Sequence, residues 1–368
     1  MNSRVQTPPP LRIGDRIVKI PLVQGGMGVA VSLSGLSSAV ANEGGVGVIA
    51  AAGVGFLEPD FYQNYLEANR RALEKQIRTA RARTQGILGI NIMMALSNSS
   101  DIVETAVREK IDIIFSGAGL PLRLPETIDR TGDHPRLVPI VSSGKAASII
   151  ARQWHKKYDY VPDAVVVEGP LAGGHLGFKP EQIDDPAYAL ERLVPEVIAA
   201  LKEFKTRDGR AIPVIAAGGI YTGGDIYRIM HRYGASAVQM ATRFAATHEC
   251  DASDEFKAAY LRATKEDLRI IRSPVGMPGR AIDNEYLQRV ERGEKQPYTC
   301  PYHCLIPCDY TNSPYCIALA LTNAQKGMLS NGFAFAGANV HRVDKILSVH
   351  ELVDSLLAEY AEAAELEG

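Results

Sequence analysis

The run Glu168-Gly169-Pro170-Leu171-Ala172-Gly173-Gly174-His175-Leu176-Gly177 sets an imidazole directly after paired glycines. Histidine takes or gives a proton near neutral pH without large perturbation. Glycines beside it let a flat ligand approach the backbone with no Cβ in the way. Two more pairs share this character: Gly25-Gly26, between Gln24 and Met27-Gly28, and Gly218-Gly219, within Ala216-Ala217-Gly218-Gly219-Ile220. A fourth run, Gln239-Met240-Ala241-Thr242-Arg243-Phe244, adds a hydroxyl, and a helix starting near Gly223-Gly224-Asp225 begins without bulk. Glycine amides, a threonine hydroxyl and a helix N-terminus are the donors a phosphate requires. Asn91, in Gly89-Ile90-Asn91-Ile92-Met93, offers an amide at a strand end, although such a residue also serves its own backbone. Neither a GxGxxG fingerprint nor a P-loop is present, so a mononucleotide with one phosphate fits better than a dinucleotide.

The elements that must carry these residues follow from periodicity. Short β-branched runs at 21–27, 46–51, 87–93, 111–116, 137–142, 164–168, 212–217 and 237–241 alternate with amphipathic stretches. Several runs are almost wholly apolar, as strands buried on both faces must be. Eight βα units over about 250 residues predict an α/β fold, a (β/α)8 TIM barrel. Every glycine run named above then falls at the carboxyl end of a strand, where barrel sites are built. The loops after the seventh and eighth strands are the usual phosphate position. Beyond residue 265 the alternation fails. The chain is expected to divide into a barrel, 1–264, and a C-terminal extension, 265–368, packed on it as a cap.

QGGM at Gln24–Met27, AGGH-x-G at Ala172–Gly177, AAGGI at Ala216–Ile220 and QMATRF at Gln239–Phe244 together resemble the nitronate monooxygenase (2-nitropropane dioxygenase) family. Flavin-dependent enoyl-ACP reductases and some NAD(P)H:quinone reductases share that barrel. The likeness runs in order from about Pro21 to Ala246 and continues into Ser273-Pro274-Val275-Gly276-Met277-Pro278-Gly279-Arg280. It implies an FMN-dependent oxidoreductase with His175 as its catalytic residue. Gly25, Gly26 and Met27 would lie along the flavin ring and Asn91 would contact the ring or its ribityl chain. Lys145 would reach the pocket as a cation, and Glu168, where many members have Gln, would meet the ribityl hydroxyls. Gly173 and Gly174 precede the histidine. Gly173, Gly218, Gly219, Gln239, Met240, Ala241 and Thr242 would hold the phosphate, with Ala241 departing from the family's glycine. The reaction implied is oxidation of an alkyl nitronate by O2 to a carbonyl compound and nitrite. The alternatives are an NAD(P)H-dependent enoyl-ACP or quinone reductase, whose substrate would be an enoyl thioester or a quinone, and a flavin-binding protein without turnover.

Four of the five cysteines crowd into Cys300, Cys304, Cys308 and Cys316, spaced Cys-x3-Cys-x3-Cys-x7-Cys. This matches neither common zinc pairs nor ferredoxin runs, and Pro301 and Pro307 interrupt any single helix that would stack them. A Zn or Fe–S site, small residues packing the cap, and a redox thiol pair all remain open readings. An odd, sparse set of cysteines in 368 residues excludes a secreted disulfide scaffold. With 40 Lys and Arg against 42 Asp and Glu, no nucleic-acid footprint or polybasic membrane patch is expected. The start, Met1 to Pro10, has no apolar leader core, and the most apolar run, 46–57, falls short of the roughly 20 residues of a membrane span. A cytoplasmic enzyme acting on a small molecule, with a homodimer as a candidate assembly, is the expectation.

Overall fold

Runs too apolar to tolerate water on either face become eight parallel strands. These are β1 (Leu22–Gln24), β2 (Val46–Ala50), β3 (Ile87–Met93), β4 (Ile113–Gly117), β5 (Arg136–Val141), β6 (Val165–Glu168), β7 (Val214–Ala217) and β8 (Ala237–Met240). They pair in chain order, and β8 returns to β1 to close a barrel, the (β/α)8 architecture that the alternation predicts. This computed structural model describes residues 7–129 and 132–367; residues 1–6, where no leader is expected, lie outside that range. Side chains obey the period of two. Val46, Val48, Ile113, Phe115 and Val138 fill the barrel, while Ile49, Ile114 and Leu137 face the helices. Between β1 and β2 the ladder has a single register pair, Val23 with Val46. The buried Gln24 side chain reinforces it by accepting the Val48 N–H at 2.9 Å.

The first six helices are α1 (Ser34–Asn42), α2 (Tyr65–Arg83), α3 (Ser99–Arg108), α4 (Gly144–Tyr158), α5 (Leu190–Leu201) and α6 (Gly223–His231). Only one turn, Leu124–Thr127, stands between β4 and β5. After β8 another single turn, Thr242–Ala245, is too short to cover the barrel wall. The missing helix comes from the end of the chain: α7 (Val349–Glu367) packs on α6 and α1 and completes the ring. Its approach explains Gly223, where a Cβ would stand 2.1 Å from the Leu356 carbonyl oxygen. That glycine therefore serves a helix contact and not the phosphate site expected from sequence. Its N–H is taken by Glu359 at 2.7 Å.

Between the short turn and α7 the extension lies over the carboxyl ends of the strands. Its hairpin, Leu268–Arg272 with Pro278–Ile282, takes Gly174–His175 from the loop after β6 as a third antiparallel strand. Aromatic rings hold its other flank: Tyr302 stacks on Tyr65 of α2 at 4.3 Å and meets Phe61 edge-on at 5.0 Å. The cysteine loop is tied to the β3–α3 loop by backbone bonds, Ser97 N–H to Cys304 O and Ile306 N–H to Ala95 O. All four cysteines are free thiols. Among the described residues no group of three or more His, Cys, Asp or Glu side chains could hold a metal ion, so the Zn or Fe–S expectation for Cys300, Cys304, Cys308 and Cys316 is not supported. Cys304 and Cys308 turn instead against the apolar core, as small hydrophobes do. Burial, with the neighbouring thiols adding to it, pushes Cys304 up to about 12, which keeps it protonated. Among the described residues, no helix is long and apolar enough to cross a membrane.

One remote residue starts α1. Its N-cap position, Leu33, has no capping side chain. Asp251, from the chain beyond β8, accepts the N–H groups of Leu33, Gly35 and Leu36 at 2.8, 3.0 and 3.1 Å. Asp251→Ala is expected to cost about 1–3 kcal/mol, since the helix start loses its acceptors. Urea unfolding measures it, and a change below about 0.5 kcal/mol would show that Asp251 does not cap α1.

Candidate active site

The carboxyl ends of the strands open into a cavity of about 330 Å³. Gly25, Gly26 and Met27 line it after β1, Asn91 from β3, Glu168 at the end of β6, and Gly173, Gly174 and His175 from the following loop. Gly218, Gly219, Gln239, Met240, Ala241 and Thr242 complete that part of the wall. The residues named from sequence thus share one cavity, with one exception. Lys145 is exposed at the start of α4 and does not line it. Its helix start is buried at Gly144, whose N–H is taken by Glu196 at 2.7 Å, while the Lys145 side chain turns outward.

The glycine runs form a cradle by close approach. A Cβ on Gly26 would stand 2.3 Å from the Asn91 Cβ, and one on Gly173 would stand 2.5 Å from the Ala336 carbonyl carbon. Gly218 and Gly219 have φ of +94° and +84°, where other residues are strained. The amides of Gly219 and Thr242 donate to no hydrogen bond among the described residues. Ala241 sits at φ −126°, so its methyl costs nothing in backbone strain. The extension closes this end: Gly337 donates its N–H to Thr242 Oγ1 at 3.0 Å, and Asn339 Nδ2 donates to Gly219 O at 2.7 Å. Behind it, Arg243 and Arg342 stand 4.9 and 4.3 Å from the ring centre of Tyr221, which lines the cavity. Like Lys145, the two arginines do not line the cavity; they touch it only through Tyr221.

His175 is held by residues of the extension. Its Nε2 lies 2.7 Å from the Oγ of buried Ser273, and Phe335 packs its ring edge-on at 5.2 Å. Burial lowers the imidazole pKa to about 4, so the ring is neutral at ordinary pH. Arg280 anchors the loop before it, donating from Nη2 to Pro170 O at 2.8 Å and from Nε to Ala172 O at 3.2 Å. Tyr286 is packed among Tyr315 and Phe333 and does not line the cavity. The remaining wall is apolar: Phe56, Phe61, Leu305, Ile317, Ala318 and Leu321 face it. Phe56 and Phe61 come from the loop between β2 and α2, and the other four from the extension.

Glu168 is a carboxyl group that lines the cavity. It makes no hydrogen bond or ion pair among the described residues, and burial raises its pKa to about 7. The folded state therefore favours its acid form, and this contribution is complete below the ordinary value of 4.5 and lost as pH rises through about 7. Glu168→Gln, which removes the charge, is expected to gain stability over wild type between pH 5 and 8, by up to about 3 kcal/mol. Urea unfolding across that range checks it; a stability difference that does not change with pH would show that Glu168 is not desolvated.

Comparison with known proteins agrees with this geometry. The family model described as nitronate monooxygenase matches residues 12–359. A Mycobacterium tuberculosis protein named (3aS,4S,5R,7aS)-5-hydroxy-7a-methyl-1-oxo-octahydro-1H-indene-4-carboxyl-CoA dehydrogenase is 29% identical over 79% of this chain and 70% of its own. A probable nitronate monooxygenase of Bacillus subtilis is 26% identical over 92% of this chain and 95% of its own. The structure of FabK from Thermotoga maritima is similar with a TM-score of 0.72 at 26% identity, covering 94% of each chain.

Proposed function

The chain belongs to the nitronate monooxygenase family and is an oxidoreductase; from that premise we propose that it binds FMN and oxidises alkyl nitronates with O2 to a carbonyl compound and nitrite. The observation that carries this reading is a neutral histidine beside a glycine cradle in one apolar cavity. The cradle suits FMN. The close approach of Gly26 to Asn91 leaves a flat wall for a ring. The unpaired amides of Gly219 and Thr242, backed by Arg243 and Arg342, suit a single phosphate.

Gly25, Gly26, Met27 and Asn91 would hold the ring, and Glu168 would meet the ribityl chain as a neutral acid able to donate. Gly173, Gly174, Gly218, Gly219, Gln239, Met240, Ala241 and Thr242 would enclose the rest. Bound FMN would supply the electron acceptor and the reactivity toward O2, which no side chain provides. The protein's part is placement and proton control. His175 either takes the α-proton of a neutral nitroalkane or holds the oxygen of a nitronate, while Phe335 and the apolar cap keep water away.

One observation favours a second reading. The apolar wall of Phe56, Phe61, Leu305, Ile317 and Leu321 is larger than a short nitronate needs. It suits the acyl part of a thioester or a quinone, reduced at the expense of NAD(P)H. Anaerobic mixing separates the two. Fast flavin bleaching by NADH or NADPH would replace the nitronate reading with the reductase one, whereas reduction by a nitronate and slow bleaching by either nicotinamide supports the first. In both, His175→Asn is expected to retain FMN and lose about 100- to 10,000-fold in turnover. Undiminished turnover with flavin bound would remove His175 from the chemistry.

A further inference from the structure

Ser273 stands where the extension's hairpin turns. Its N–H donates to Met277 O at 3.0 Å and its carbonyl accepts from Gly276 at 2.9 Å, so the backbone is fixed. The side chain is buried, with 3% exposure. Its Oγ has two partners among the described residues: the Val275 N–H, which donates to it at 3.4 Å, and His175 Nε2 at 2.7 Å. A serine hydroxyl carries one hydrogen, and the Val275 N–H cannot accept it. The acceptor left is Nε2. The reverse arrangement, Nε2–H donating to Oγ, strands a buried hydroxyl hydrogen without an acceptor and is the costlier of the two.

If Nε2 accepts, the proton of neutral imidazole sits on Nδ1. Nδ1 has no hydrogen-bond partner among the described residues, and His175 lines the cavity. Phe335 packed against the ring opposes a flip that would exchange the nitrogens. We infer that Ser273 is a positioning residue that fixes His175 as its Nδ1–H tautomer, so that the site meets its substrate with a hydrogen-bond donor and not with a base. The inference rests on the proposed oxidation and narrows its substrate class to preformed oxyanions, nitronates above all. Neutral nitroalkanes, which need a base to remove the α-proton, are not substrates. Glu168, whose pKa burial raises to about 7, is the neutral acid below that pH and adds no repelling charge to such an anion there.

Nitrogen-15 NMR of the histidine-labelled, FMN-loaded full chain reads the tautomer directly, with His175→Asn identifying the signal. Nδ1 is expected in the protonated range and Nε2 in the bare range. Ser273→Thr, which keeps the hydroxyl, should preserve that pattern, and Ser273→Ala should lose it. A protonated Nε2 in wild type, or an unchanged pattern in Ser273→Ala, would overturn the inference. The substrate arm compares ethyl nitronate with neutral nitroethane. Ser273→Ala is expected to lower kcat/KM for the nitronate roughly 5- to 10-fold with FMN content unchanged, the equivalent of one hydrogen bond. Wild type should not speed exchange of the nitroethane α-hydrogens with deuterated water above the rate of His175→Asn; faster exchange would establish a base and refute the donor. If no nitronate turns over, the oxidation itself is refuted while the NMR result still decides the tautomer.

Discussion

Two residues of a barrel loop pair with a strand that arrives about a hundred residues later, and the candidate site depends on that pairing. Gly174 opposes Arg280 and His175 opposes Gly279, which turns the loop after β6 into the edge of the extension's sheet. A loop at the end of a barrel strand has few contacts of its own, and an imidazole on it would sample many orientations. Here the backbone is fixed by a ladder, the ring by Ser273 and Phe335, and the preceding turn by the buried Arg280 guanidinium. Each restraint comes from the extension. The barrel supplies the floor, and the later chain supplies the orientation of its reactive group.

The electrostatics of the cavity follow from its dryness. Glu168 and His175, which both line the cavity, are shifted by burial toward their neutral forms. Below about pH 7, where Glu168 is protonated, a bound anion is met by dipoles: glycine amides, hydroxyls and one imidazole N–H. Positive charge stands one layer back, in Arg243 and Arg342 around Tyr221, where it biases the potential without requiring a desolvated cation at the ligand. The near balance of 40 basic and 42 acidic residues agrees with a positive potential that is local.

The extension is also less separate than its composition suggests. Its aromatic flank, Tyr302 on Tyr65 and Phe61, and its cysteine loop on the β3–α3 connection bind it to the first half of the barrel. Its final helix belongs to the barrel's own ring, between α6 and α1. A chain that leaves the barrel after β8 and returns as α7 cannot lose the cap without loosening the wall.

Eight strands, their order and the glycines at their ends were legible because parallel strands buried on both faces leave long apolar runs, and because local backbone geometry demands glycine where it occurs. The same local logic picked out His175, Glu168 and glycine runs from Gly25 to Gly219, which the fold brings to the wall of one cavity. It failed where a residue's neighbour lies far along the chain. Lys145 looked like a ligand cation from its place after a strand, yet the helix it begins points it to solvent. Gly223 looked like part of a phosphate turn, and its missing side chain instead admits Leu356 of α7. Four clustered cysteines left a metal site, cap packing and a redox pair all open; no ligand group forms among the described residues, and Cys304 and Cys308 pack as apolar side chains. Ser273 and Arg243 lay inside runs that carried the family likeness, but nothing local showed what they touch, and Phe335 and Arg342 gave no local sign. Periodicity and turn chemistry are written over a few adjacent residues, so sequence alone determined the barrel and its floor. Which side chains meet across the cavity, and which nitrogen of His175 faces it, was decided by contacts spanning about a hundred residues, which only the closed fold creates.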